Sequence, residues 1–301
     1  MTSSRPAIAL IITLFFIMAM TLLVGISSGL SDRALKRVEK ERFLIQANRI
    51  SHDVVTILGQ ITKDLNGSDD LDMLIDLPVL LDDEVSGMHV EITFESASSK
   101  LNINSLVDEN GTMQKEYYNL LENILINNQV LDPSLFLSLV ADTIDSDIEE
   151  RIVDSEIATL DPFYSNGEII DMKHFDKIIQ QYILMRDDLA IKEIPWSKII
   201  STVGANIDVN HVTPELFAEI FPNFAPDEVL EYTLGRKETY NKMEDLEVDD
   251  FTKEYLQKLG ISFYEPLVKC NVLLKVNEQM GIISFYYDLS GKNASEFNIE
   301  I

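Results

Sequence analysis

Residues 7–30 read AIALIITLFFIMAMTLLVGISSGL, an apolar run without a charged side chain. A helix needs about 20 apolar residues to cross the hydrocarbon core of a bilayer, so this run is long enough for a membrane span. The apolar region of a secretory signal peptide is shorter, roughly 7–15 residues, which makes a cleaved signal peptide the less favoured alternative. Basic residues flank the run on both sides, so composition leaves the orientation of the span open.

The sequence predicts that this helix continues past the apolar run. Residues 31–65 contain no proline, and their apolar side chains recur at spacings that mark one helical face. This predicted face consists of Ile50, Val54, Ile57, Ile61 and Leu65. One interpretation is a single-pass anchor followed by a linker helix. The other is the long N-terminal helix of a pilin, whose second half packs on a globular head.

The rest of the chain alternates between strand and helix patterns. Residues 89–94 and 101–104 have a period of two and predict a hairpin, residues 114–259 are helical in pattern, and residues 272–276 and 282–287 predict a second hairpin. Because late strands can pair with early ones, we predict an α+β fold: an antiparallel sheet that carries a large inserted all-α domain. The predicted division is an N-terminal helix at 1–65, a first sheet segment at 66–112, the helical insertion at 113–259 and the closing strands at 260–301.

Three short motifs follow the N-terminal helix. They are KLNINSLV at residues 100–107, ADTIDSD at 141–147 and IDVNHVTPEL at 207–216. In this order the chain resembles the family of general secretion pathway protein K, the large minor pseudopilin of type II secretion. That family shows an RFNLN-like stretch, then D-W-I-D-x-D, then an INVNTAPPEVL-like stretch. The resemblance covers nearly the whole chain and implies a pilin-like fold.

The chain departs from the family pattern at several places. Pro6 stands where the family has the glycine before the prepilin-peptidase cut, which leaves open whether the short leader is removed. Thr143 replaces the tryptophan, and His211 and Val212 replace the threonine and alanine that follow Asn210. If the mature chain begins at residue 7, Ile11 stands where major pilins carry a glutamate. The K-type proteins are similar in lacking that carboxylate.

The resemblance implies a place and a set of partners. It implies a protein of the bacterial inner membrane, anchored through residues 7–30, with its head in the periplasm and its position at the pseudopilus tip. There it would form a cap with the I-type and J-type minor pseudopilins and initiate assembly of the filament that exports proteins across the outer membrane. A bulky inserted domain agrees with the tip, because it would clash with subunits stacked above it.

Charge and motif content exclude several other classes of function. The chain has 51 acidic and 24 basic residues, a net charge of −27, so it lacks the clustered Lys and Arg that nucleic acid binding needs. Cys270 is the only cysteine, which excludes an intrachain disulfide and a cysteine zinc site. Because no P-loop, G-x-S-x-G or H-E-x-x-H pattern occurs, we do not expect an enzyme.

One acidic stretch has the spacing of a calcium loop. Asp145, Asp147 and Glu149 alternate, and Glu156 is the twelfth residue counted from Asp145. Calcium prefers several oxygen ligands, although Glu150 occupies the position where an EF-hand turn has glycine. A solvated acidic loop is the alternative. The resemblance favours calcium, and the predicted ligands are Asp145, Asp147 and Glu156.

Two functions from different classes therefore stay open. The first is the pseudopilus-tip protein. The second is an unrelated single-pass, membrane-anchored periplasmic binding or sensor protein whose acidic head captures cations. Assembly with other pseudopilins distinguishes the two, because only the first requires it.

Overall fold

The computed structural model describes residue 20 and residues 35–300, apart from 64, 66, 84–86, 205, 236–237, 247 and 277–278. The predicted membrane span at 7–30 lies outside the described residues except for Met20. Within the described part of the chain, no helix combines the length and the apolar character that crossing a membrane requires.

The described residues form helices and strands in two lobes. The helices are α1 (35–61), α2 (Ser68–Asp76), α3 (Lys115–Asn127), α4 (Pro133–Ile144), α5 (Ile157–Leu160), α6 (Met172–Arg186), α7 (Trp196–Ile199), α8 (Pro214–Ile220), α9 (Pro226–Thr233) and α10 (Asp250–Lys258). The strands are β1 (Val79–Asp83), β2 (Met88–Ser96), β3 (Leu101–Asn102), β4 (Ile200–Ser201), β5 (Ile207–Asp208), β6 (Ile261–Ser262), β7 (Leu267–Val276), β8 (Gln279–Asp288) and β9 (Asn293–Glu300). Short 3-10 turns lie at Ile103–Leu106, Ala190–Lys192 and Met243–Asp245.

The sheet lobe consists of α1, α2 and an antiparallel sheet in the order β1-β2-β7-β8-β9. Side chains alternate along each central strand, so one face is buried against α1 and the other is partly exposed. The predicted hairpin near the C-terminus is confirmed, since β7 and β8 pair along their whole length. Cys270 lies on the buried face, and burial raises the pKa of its thiol to about 12. The thiol is therefore protonated at neutral pH and a poor nucleophile.

The face of α1 that packs on the sheet agrees only in part with the predicted one. Phe43, Ala47, Val54 and Leu58 are buried in the sheet-lobe core. Of the predicted residues, Val54 belongs to that core and Ile50 packs against it, whereas Ile57 and Ile61 are 36% and 47% exposed. The buried face of α1 is therefore rotated about the helix axis relative to the predicted face.

Glycine on β8 allows the close approach of α1 to the sheet. A Cβ atom on Gly281 would lie 2.7 Å from the ring of Phe43 and 2.9 Å from the carbonyl oxygen of Glu300. Real Cβ atoms do not approach other heavy atoms so closely, so any side chain here would force the Phe43 ring or the β9 backbone to shift.

The helical lobe has its own core. It contains α3 to α10, and its buried residues run from Leu101 to Leu259. At its centre the ring of Phe136 stacks on Trp196 at 5.6 Å and meets Phe175 and Tyr182 edge-on at 6.0 and 5.6 Å. Two of its helices begin at a capping residue followed by proline: Asp132 caps α4 ahead of Pro133, and Thr213 caps α8 ahead of Pro214.

The chain enters the helical lobe earlier than the strand pattern indicated. The predicted hairpin between 89–94 and 101–104 is wrong, because β2 pairs with β7 and the short β3 pairs in parallel with β4. Asn104 attaches this segment to the helical lobe, because its side-chain amide donates to the carbonyl oxygens of Ile169 and Thr202 at 3.1 and 3.2 Å. Residues 101–107 pack in the helical core, so it begins before the predicted boundary at 113.

Candidate functional site

The predicted calcium loop follows α4 in the helical lobe. Another acidic residue, Asp142, lies just before this loop on the last turn of α4 and is fully buried. One oxygen of Asp142 accepts from the Arg151 guanidinium, and the other accepts from the Arg151 backbone N–H at 3.1 Å and from the Ser155 hydroxyl. Asp142 is therefore occupied by protein donors.

Arg151 ties three segments together. Its Nη1 donates to both Asp142 and Asp145, and its Nη2 donates to the carbonyl oxygen of Gly111 at 2.6 Å. The Arg151 side chain is 21% exposed, and its guanidinium neutralises part of the acidic charge that α4 and the loop bring together. A charge-assisted pair with a buried carboxylate fixes geometry more tightly than an exposed pair does.

The structure places the three predicted ligands unequally. Asp145 ends α4, its side chain is 7% exposed, and one of its oxygens accepts from Arg151. Glu156 is fully buried at the start of α5, where its Oε1 accepts from the Ala158 N–H at 3.0 Å. Asp147 is exposed, and its Oδ1 accepts from the Glu149 N–H at 2.8 Å.

A residue that the sequence did not suggest connects two of them. Asn166 donates through Nδ2 to Glu156 Oε1 at 2.9 Å and to the Asp147 carbonyl oxygen at 3.0 Å. It lies ten residues after Glu156, beyond the EF-hand spacing that we used to search for ligands. A turn at Gly167, whose φ of 124° only glycine adopts readily, follows it.

Two buried oxygens in this loop and one on Asn166 have no hydrogen-bond partner. They are Asp145 Oδ1, Glu156 Oε2 and Asn166 Oδ1. A buried polar atom without a partner costs about 1–3 kcal/mol, and a ligand bound to these oxygens would remove that cost. All three are carboxylate or amide oxygens, the ligand atoms that calcium prefers.

Burial acts on the acidity of the same groups. Burial raises the pKa of the Glu156 carboxyl group, and the negative charges of Asp142 and Asp145 raise it further. Hydrogen bonds from Asn166 and Ala158 lower the pKa and oppose this effect. Burial also raises the pKa of Asp145, against the opposing influence of Arg151. A second positive charge beside these carboxylates would lower both pKa values.

An acidic cleft of about 450 Å³ opens beside the loop. Asp145 lines it, together with four other carboxylates from Asp108, Glu109, Asp147 and Glu168. The cleft gives a cation access to the loop from solvent. Within the described residues, however, no group of three or more His, Cys, Asp and Glu side chains is spaced to hold a metal ion. The calcium ligands therefore stay a prediction.

Comparisons with known proteins identify the fold. No protein-family model and no curated protein matches the chain. Among solved structures, it matches a chain in the crystal structure of the GspK–GspI–GspJ complex from the type 2 secretion system of enterotoxigenic Escherichia coli. The TM-score is 0.62 at 14% sequence identity, and the match covers 89% of this chain and 99% of that chain. The chain therefore has a GspK-like fold, and the predicted α+β class is confirmed.

Proposed function

We propose that this protein is a minor pseudopilin at the tip of a type II secretion pseudopilus. It would form a cap with I-type and J-type minor pseudopilins and initiate the filament that exports proteins across the outer membrane. The observation that carries the proposal is the fold match over 89% of the chain to a protein from a GspK–GspI–GspJ complex. The role requires contact surfaces and no catalysis, so we propose that the protein is not an enzyme.

The exposed side of α1 supports a role in assembly. Leu35, Val38 and Ile45 are 59%, 52% and 70% exposed, and their spacings of three and seven residues place them along one side of the helix. Helix α1 therefore has two apolar sides: one packs on the sheet of the same chain, and the other is exposed to solvent. The exposed apolar side is a surface that can pack against helices of other subunits. We also propose that residues 7–30 anchor the chain in the bacterial inner membrane, with the head in the periplasm.

Co-purification tests the assembly role. We expect the full-length chain, co-expressed with an I-type and a J-type minor pseudopilin and extracted in detergent, to purify as a ternary complex. Ile45→Asp, which places a charge on the exposed side of α1, should reduce recovery of the partners at least tenfold. The matched control is Leu184→Asp on the helical lobe, where the native side chain is 81% exposed, and it should leave recovery unchanged. Failure of the native chain to bind either partner would contradict the proposal and favour an anchored binding or sensor protein.

We further propose that the acidic loop holds a structural calcium ion. Asp145, Asp147 and Glu156 are the proposed ligands, and Asn166 adds an amide oxygen. The support is the set of three unpartnered buried oxygens on Asp145, Glu156 and Asn166. When bound, the ion would supply positive charge to carboxylates whose ionised form burial disfavours. The protein's own part is to fix these oxygens through α4, α5 and the Asn166 hydrogen bonds.

Calcium should therefore stabilise the helical lobe. At a concentration 100-fold above its dissociation constant, the ion adds about 2.7 kcal/mol to the free energy of unfolding. We expect this to raise the melting temperature of the full-length chain by several degrees over the value in chelator. Glu156→Gln, which keeps the cap on α5 but removes a charge, should abolish most of the shift. The same change at the exposed Glu150 is the control and should preserve it. Equal melting temperatures with calcium and with chelator in the native chain would contradict the metal site.

A further inference from the structure

The two edge strands of the sheet lobe differ in regularity. Strand β1 pairs with β2 over five consecutive residues, from Val79 to Asp83, without a shift in register. Strand β9 pairs with β8 through a register shift, and Glu296 at that shift has a left-handed φ of 54°. A bulge of this kind twists an edge and discourages a further strand from pairing with it. The regular edge of the sheet is therefore the one at β1.

The outer side of β1 carries main-chain groups in the spacing of a β-strand. Among the described residues, β1 has a neighbouring strand on one side only. Backbone N–H and C=O groups alternate in direction along an antiparallel strand, so every second residue of β1 points these groups away from β2. Such an edge is a template on which another extended segment can pair.

Large apolar side chains are exposed along the same edge. Leu80 and Leu81 on β1 are 56% and 40% exposed, and neighbouring residues of a strand point to opposite faces of the sheet. Leu77 precedes the strand and is 63% exposed, and Met73, one helical turn earlier on α2, is 64% exposed. Leu81 pairs with Val90 of the sheet-lobe core. A strand added outside β1 would therefore extend that core.

The charge of this segment selects the kind of strand that fits. Between Lys63 and Lys100 the chain has ten acidic residues and no Lys or Arg. Asp82 Oδ1 lies 2.5 Å from His89 Nδ1 on β2, yet the Asp82 side chain is 66% exposed. Lys275 of β7 lines the same shallow cavity as these two residues and offsets part of the charge. A second copy of this acidic segment would be repelled, whereas a strand with basic side chains would be attracted.

We propose that β1 is a docking edge for a strand of a partner protein in which apolar side chains alternate with lysine or arginine. Main-chain hydrogen bonds to β1 would hold the strand, as in other cases of strand addition. Its apolar side chains would lie beside Val79 and Leu81 on the core face. Its basic side chains would lie on the other face, where their stems cover Leu80 and their charged ends meet Asp82. The proposal does not rest on the proposed role in secretion.

A synthetic peptide tests this docking edge. The probe is an acetylated and amidated peptide of alternating valine and lysine, about ten residues long, the upper end of common strand lengths. We expect it to bind the full-length chain in nonionic detergent and to slow hydrogen exchange at every second amide of β1. The control peptide has the same side chains and a methyl group on every backbone nitrogen. It should bind about tenfold more weakly, because main-chain hydrogen bonds supply the affinity of strand addition.

A pair of matched variants tests the contribution of the side chains. Leu80→Lys removes apolar surface from the edge and places a charge there that repels the peptide, so we expect binding about tenfold weaker. The control is Ile126→Lys on α3, which makes the same change of charge where the native side chain is also 56% exposed, and it should leave binding unchanged.

Several results would overturn the proposal. They are no binding by the native chain, equal binding of the two peptides, protection of β9 in place of β1, and equal weakening by the two variants. Protection of β1 that rises with protein concentration in the absence of peptide would show that a second copy of the chain occupies the edge, and would also overturn it. Because the two peptides are compared on the native chain, that comparison decides even if Leu80→Lys does not fold.

Discussion

Phe136→Ala is expected to lower the free energy of unfolding by about 3–5 kcal/mol, the usual cost of removing a large aromatic side chain from a core. Phe136 is 1% exposed on α4 and contacts the rings of Phe175, Tyr182 and Trp196. Its removal leaves a cavity that three rigid neighbours line. These neighbours cannot collapse far, because Trp196 and Tyr182 are held by hydrogen bonds to the Ile191 carbonyl and the Asp188 carboxylate at 2.8 and 2.9 Å.

The fluorescence of the only tryptophan, Trp196, reports this destabilisation directly during denaturation by urea. The matched control is Phe163→Ala, which removes the same side chain where it is 95% exposed and should change the free energy of unfolding by less than about 0.5 kcal/mol. A destabilisation well short of the expected range for Phe136→Ala, equal to that of the control, would show that this aromatic cluster does not organise the helical core.

Arg151→Met should also destabilise the helical lobe by about 3–5 kcal/mol, because it leaves a buried carboxylate without its counter-ion. Asp142 is fully buried, and it would keep only its bonds from the Arg151 backbone and from Ser155. The substitution also removes the hydrogen bond to the Gly111 carbonyl oxygen. Methionine keeps much of the length of arginine, so the destabilisation reports the charge more than the packing.

Urea denaturation in the presence of chelator measures this effect without a contribution from calcium. The control is Arg37→Met on α1, where the pair with Glu41 has side chains that are 83% and 59% exposed. Exposed pairs of this kind contribute about 0.3–0.5 kcal/mol, so the control should be almost neutral. Equal effects of the two substitutions would contradict a structural role for the Arg151 cluster.

Local signals in the sequence were sufficient for much of the fold. The alternating pattern predicted β7 and β8, and the Asp-Pro and Thr-Pro pairs are local sequence signals that coincide with the starts of α4 and α8. Each of these features depends on residues close together in the chain. The buried face of α1 does not: the helix carries two apolar stripes, and the position of the sheet decides which of them is covered.

Long-range pairing explains the wrong hairpin. Residues 101–104 have the alternation of a strand, but the partner of β3 is β4, about a hundred residues further along the chain. A two-residue parallel pairing leaves almost no pattern in the sequence, whereas the hairpin between neighbouring segments is the default expectation. The preference for local pairing therefore gave the wrong partner.

In the candidate site, too, the residues close together in the sequence were predicted and the others were not. Spacing alone brought Asp145 and Glu156 into one loop, since both lie within a twelve-residue segment. The sequence analysis did not identify Arg151 and Asn166. It considered only acidic residues as ligands, whereas Arg151 is basic and Asn166 has an amide side chain. The single basic residue between Asp145 and Glu156 was the available signal for the first. Asn166 lies ten residues after Glu156, beyond the range of a spacing search.

The helical lobe is connected to the sheet in a way that would allow it to be replaced during evolution. The chain leaves the sheet at the end of β2 and returns at the start of β7, where Ser96 and Val268 face each other in neighbouring strands. Neighbouring strands lie about 4.8 Å apart, so the whole lobe occupies the place of a hairpin connection. Any folded unit whose ends lie side by side could be exchanged here without altering the strand order. The sheet lobe can therefore stay the same in evolution while the inserted lobe is replaced by another domain. Such a replacement would change the contact surfaces of the protein and retain the order of the strands.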